Sequence, residues 1–138
     1  MNALRKLYKE LTSLHWEIGF LDNTFEGIVR GDKLKLTLVT HNFPNSWFAD
    51  PFILDVTDDT IIVLVEEVTK KISKGRISKL VIDRRNNYVI EKKVILERPG
   101  HLSFPIIYRK DDKIYVYPEN SEDGVLNIYA VSYTHLRA

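Results

Sequence analysis

Apolar residues Leu4, Leu7, Tyr8, Leu11 and Leu14 recur at helical spacing, with Arg5, Lys6, Lys9 and Glu10 between them. That pattern predicts one amphipathic helix over residues 2–13. The period then falls to two. "HWEIGFL" alternates as a strand does, and "KLKLTLVTH" more clearly, with Leu34, Leu36 and Leu38 on one face and Lys33, Lys35 and Thr37 on the other. Between them "DNTFEGIVRGD" predicts a short helical turn capped by Asn23 or Thr24.

From Phe52 onward the pattern is β throughout. Segments 52–55, 60–66, 76–83 and 88–96 are rich in β-branched residues and are separated by the turn-type sequences "TDD", "KKISKG" and "RRNN". They predict an up-and-down antiparallel meander. The meander then begins again. "DPFILDVTDDTIIVLVEE" aligns with "FPIIYRKDDKIYVYPEN": Pro51 with Pro105, Asp58–Asp59 with Asp111–Asp112, Ile61 with Ile114, Glu66 with Glu119. Downstream, "KGRISKLVI" matches "DGVLNIYAV", setting Gly75 opposite Gly124. A four-strand unit repeating at roughly 50 residues is the signature of a β-propeller blade. The expected fold is therefore all-β, a partial propeller. Blade one spans about 50–97 and an incomplete blade two about 101–131, together a propeller fragment over 15–131 after an N-terminal helix within 1–14. The final "VSYTHLRA" breaks the pattern, so 132–138 is expected to be foreign to the natural chain and no fourth strand is expected after Val131.

Composition narrows the chemistry. Of 138 residues 44% are apolar and 28% charged, as in a soluble globular domain, and a net charge of +1 gives no reason to expect nucleic acid. With no cysteine there is neither a disulfide nor a thiolate metal site, and His15, His41, His101 and His135 lack metal-ligand spacing. "DVTDD" lacks the glycine and remaining ligands of a calcium loop. No metal or cofactor is expected. The longest aliphatic run, 61–65, is far short of a membrane span, and no signal peptide is visible. The expectation is a cytoplasmic or membrane-peripheral chain.

Where chemistry gathers is set by the blade. Asp50 stands at the entrance to the first strand of blade one, and Ser103 and Phe104 hold the matching place in blade two. Glu66–Glu67 and Glu119 end the second strands, which return to the same rim because paired strands run antiparallel. Asp50, Glu66 or Glu67, His101, Ser103 and Glu119, with Asn120 beside it and Arg76 across the hairpin, are the candidate rim residues; Trp47 and Phe48 offer flat apolar surfaces. Carboxylates accept hydroxyl hydrogen bonds while rings cover the C–H faces of a pyranose, so the set suits a sugar. Each residue also has a plainer reading. Asp50 before Pro51 shapes a turn, and strand alternation turns only one of Glu66 and Glu67 inward. Arg76 pairs with one of those glutamates, His101 packs in a turn, and Trp47 and Phe48 pack between sheets.

The segments "SWFADPFI", "VEE", "GRISKLVID", "HLSFPIIY" and "IYVYPEN" followed by "LNIY" resemble the propeller of the glucosamine inositolphosphorylceramide transferase amino-terminal family, over about 16–129. Bacterial relatives of that propeller accompany surface-polysaccharide synthesis, and its fold is similar to five-bladed arabinanases, β-xylosidases and invertases. The resemblance implies five blades, a glycan or sugar-phosphate ligand, and a fused or separate glycosyltransferase domain as partner. In the glycosidases an Asp within a motif like "ADP" is base or nucleophile, and Asp50 is the matching position. Three functions stay open: a carbohydrate-binding module auxiliary to glycosyl transfer, a glycosidase or transglycosidase using Asp50, and a protein-interaction platform.

Overall fold

The computed structural model describes residues 15–131 and 136–137. The helix expected over 2–13 and most of the tail lie outside the described residues. A two-stranded ribbon comes first: β1 (Gly19–Leu21) pairs antiparallel with β2 (Leu36–Leu38). Between them α1 (Phe25–Val29) is capped as expected, the Gly27 N–H donating to Thr24 Oγ1 at 3.1 Å. Leu34, Leu36 and Leu38 are exposed, because no described element covers that side of so small a ribbon.

Two four-stranded antiparallel sheets follow, each in simple meander order. The first contains β3 (Ser46–Val56), β4 (Thr60–Thr69), β5 (Arg76–Asp83) and β6 (Tyr88–Leu96). The second contains β7 (Ser103–Lys110), β8 (Lys113–Glu119), β9 (Tyr129–Val131) and β10 (Leu136–Arg137). The described residues are therefore all-β apart from α1 and one 3-10 turn.

The repeat read from the sequence is reproduced in backbone detail. Pairing of β3 with β4 slips between Ala49 and Phe52, and pairing of β7 with β8 slips between Ser103 and Ile106. The residue before each proline is left-handed, Asp50 at φ 49° and Phe104 at φ 44°. Such bulges bend a strand and re-aim a side chain. The hairpins differ in length, which accounts for the drifting repeat offset. Asp111 and Asp112, both left-handed, make a two-residue turn, whereas three residues, Thr57 to Asp59, connect β3 and β4.

Two differences from the sequence reading concern the second sheet. β9 begins five residues after Gly124, whereas β5 begins directly after Gly75. A 3-10 turn over Ser121–Asp123, capped by Asn120, precedes Gly124, and residues 125–128 stay outside the strand pairing with Val125, Leu126 and Ile128 exposed. A fourth strand does follow Val131, the two-residue β10.

The first sheet buries both faces. Phe48, Val63, Val65, Leu80, Ile82 and Val89 pack under Ile18 and Val39. The other face sets Leu64 and Ile77 against Leu102, just before β7, and Val116 of β8, with β7 lying on β3, β4 and β5. This double burial is why β4 runs almost continuously apolar instead of alternating. The junction between the sheets frames the acidic residues.

Candidate functional site

At the end of β4 two adjacent carboxylates go to opposite faces, and both are buried. Glu67 has no exposed surface. Ser46 Oγ donates to it at 2.8 Å, Ser78 Oγ at 2.5 Å and Arg76 Nε at 3.3 Å, and Lys92 Nζ completes the set. Burial pushes its pKa up, but the hydrogen bonds from Lys92, Ser78, Ser46 and Arg76 outweigh that and hold it at about 2. Lys92 Nζ also lies 4.7 Å from the centre of the Phe43 ring, and Arg76 bridges onward to Glu97 at 3.2 Å. Glu67 and Arg76 thus neutralise each other inside the sheet, the cross-strand pairing that was the plainer reading for Arg76.

Glu66 points to the junction. The bulge follows Ala49, which pairs in register with Glu66, and sets the Asp50 carboxyl close enough to act on Glu66. A left-handed Asp is tolerable where a bulkier residue is strained. Burial, the Asp50 hydrogen bond and the Asp50 charge raise the Glu66 pKa to about 7. From the second sheet's entry loop, His101 Nε2 reaches Glu66 Oε1 at 3.2 Å, and the Gly75 N–H donates to His101 Nδ1 at 3.0 Å. The loop is pinned in turn by the Leu102 N–H donating to the Gly75 carbonyl at 2.9 Å. Only glycine fits at 75, since a Cβ there would stand 2.4 Å from the Leu102 carbonyl and 2.5 Å from Glu66 Oε1.

Asp50, Glu66 and His101 therefore meet at one place, partly open to solvent at His101, whose side chain is 43% exposed. Trp47 pairs in register with Val68, two residues from Glu66, and so lies on the same face of the sheet; its ring is 4.8 Å from that of His15. Phe48 is buried on the opposite face. Ser103 is buried and pairs in register with Glu119, at the same end of the sheets as the cluster. Glu119 itself does not join it. It follows Tyr117 on the outer face of the second sheet and lines an open groove of about 380 Å³ with Phe104, Ile106, Tyr117 and Leu126. Asn120 accepts from the Asp123 N–H, and its amide nitrogen is buried without a partner among the described residues. No group of His, Asp and Glu suited to hold a metal occurs among the described residues.

Sequence reasoning missed the steric role of Gly75 and the part played by Lys92. The glycine's place in the repeat hinted at the first. Nothing in the sequence marks Lys92, which lies far from Glu67 along the chain.

The family described as glucosamine inositolphosphorylceramide transferase 1, N-terminal, matches residues 35–137. The Arabidopsis thaliana protein of that name, glucosamine inositolphosphorylceramide transferase 1, is 30% identical over 86 residues, which is 62% of this chain and 11% of the relative. The Oryza sativa subsp. indica protein of the same name is 27% identical over 88 residues, 63% of this chain and 12% of the relative. The chain thus spans about a tenth of the length of the curated relatives it matches. No solved structure matches it.

Proposed function

The chain belongs to the glucosamine inositolphosphorylceramide transferase 1 amino-terminal family, and we propose that it is a carbohydrate-binding module that serves glycosyl transfer to a glycolipid or polysaccharide. In this reading its two sheets are successive blades of a five-bladed propeller, and a fused or separate glycosyltransferase domain does the chemistry. The blade assignment is supported by the matched bulges at Asp50 and Phe104 and by the meander order of both sheets.

The observation that carries the functional reading is the Asp50–Glu66–His101 cluster at the sheet junction. Its carboxyl groups offer hydrogen-bond acceptors to sugar hydroxyls, and Trp47 shares the face. Glu67 and Arg76 are left out of the ligand site because each is spent on the other. Titration calorimetry with neutral oligosaccharides tests the proposal. Binding that disappears in Asp50→Ala and Glu66→Ala supports it; affinity unchanged by both removes this cluster as the site.

The glycosidase alternative meets a geometric obstacle. Retaining enzymes hold their two carboxyls about 5–5.5 Å apart and inverting enzymes about 6.5–9.5 Å apart. Asp50 acts directly on Glu66 and raises its pKa, which favours a proton-sharing pair over an acid and a base set apart across a sugar. A carboxyl pair so coupled titrates as one unit.

A further inference from the structure

We infer that Gly75, His101, Glu66 and Asp50 form a one-way hydrogen-bond chain ending on Asp50 as acceptor, so that the opening takes a neutral hydroxyl donor and rejects a phosphate. The ligand half of this inference rests on the carbohydrate reading above; the chain itself does not.

The direction follows from what each group is able to do. A backbone N–H only donates, so the Gly75 bond requires His101 Nδ1 to carry a lone pair. The ring is then neutral with its proton on Nε2, and at 3.2 Å that N–H donates to Glu66 Oε1. Two carboxyl groups hydrogen-bond only when one of them carries a proton. Glu66 is the more enclosed of the two and the natural holder, so its O–H donates to Asp50. Asp50 keeps the negative charge and lone pairs for a ligand.

Nothing in the cluster is left to donate. The Gly75 N–H is spent on His101 and the His101 N–H on Glu66. The groups facing Glu66 are Asp50 from β3, His101 from the β7 entry loop and the Gly75 amide before β5. Among the described ion pairs none brings Lys or Arg to Asp50, Glu66 or His101, and Arg76 and Lys92 serve Glu67 on the opposite face. A phosphate arriving here meets a carboxylate with no cation among the described ion pairs to offset it. A sugar hydroxyl meets an acceptor. His101 is thus a positioning residue that acts through Glu66.

Histidine nitrogen NMR on the 138-residue chain tests the chain of donors directly. His101 is expected as the neutral Nε2–H tautomer at neutral pH; the Nδ1–H tautomer or an imidazolium overturns the inference whatever the ligand. His101→Asn keeps an acceptor within reach of Gly75 and drops the donor to Glu66, whereas His101→Gln extends an amide donor toward Glu66. The Glu66 carboxyl titration is expected to move up in His101→Asn, since a lost donor disfavours the carboxylate, and to stay nearer its place in His101→Gln. Equal shifts in both variants count against the chain. The ligand arm compares methyl glucopyranoside with glucose 6-phosphate, watching the Asp50 carboxyl resonance. The neutral sugar is expected to bind at least about tenfold more tightly. Equal or tighter binding of the phosphate overturns the selectivity, and binding of neither overturns the carbohydrate reading while the tautomer result still decides the chain.

Discussion

At Glu66 the folded chain holds a proton that the unfolded chain releases, and at Glu67 the reverse is true. The Glu66 pKa rises from 4.5 to about 7, so its contribution to stability is full below 4.5 and is lost as pH climbs to 7. The Glu67 pKa falls from 4.5 to about 2, so its contribution is present above 4.5 and is lost as pH drops toward 2. Glu66→Gln should therefore flatten the decline in stability between mildly acidic and neutral pH, as read from urea midpoints across that range. Parallel pH curves for the variant and the parent would show that Glu66 titrates normally. Glu67→Gln should cost about 3–5 kcal/mol at neutral pH, because it leaves Lys92 and Arg76 facing a neutral group inside the sheet. Gly75→Ala, with no room for its methyl, should both destabilise the fold by about 1–3 kcal/mol and abolish the His101–Glu66 contact. A calorimetric melt combined with the His101 nitrogen shifts reads both effects.

At the scale of elements, β5 and β6 start and end where their β-branched runs do, and Thr24 caps α1 as its position before an apolar turn implies. Those features are local, and local chemistry is what a sequence displays. The fate of Leu34, Leu36 and Leu38 is not local. Alternation predicts two faces, but burial needs a partner surface, and no described element supplies one. The same limit explains Glu66 and Glu67. Alternation correctly separates their faces, yet both faces of β4 are covered, so neither carboxylate is a solvated strand end. That Asp50 and Glu66 lie at the same end of the sheet was legible from the antiparallel return of β4. Their interaction was not, because it depends on the bulge at Asp50. The junction of the sheets hangs on Leu102, which is 1% exposed between Leu64, Ile77 and Val116. Leu102→Ala should cost about 2–5 kcal/mol, whereas Ile53→Ala, at an exposed position of the first sheet, should cost far less. Comparable losses at the two positions would mean the sheets are not held together there.

For the whole molecule, the repeat has a consequence for solubility. Phe104, Ile106, Tyr108 and Tyr117 occupy in the second sheet the places that Asp50, Phe52, Leu54 and Leu64 occupy in the first. In the first sheet Leu54 and Leu64 belong to the core at the junction; in the second Phe104 and Tyr108 are about half exposed. Contiguous exposed apolar surface of this kind favours self-association. Sedimentation of the 138-residue chain should show mass rising with concentration, and Tyr108→Lys should reduce that rise. No described helix is long and apolar enough to cross a membrane. What unites the scales is the acid pair at the junction: the bulge aims Asp50, the covered face encloses Glu66, and the second sheet delivers His101. The most direct measurement is a carboxyl-carbon NMR titration of Glu66 from acid to alkaline pH. The account predicts a midpoint of about 7 that falls when Asp50 is replaced by Asn. A midpoint near 4.5, unaffected by that replacement, would contradict it.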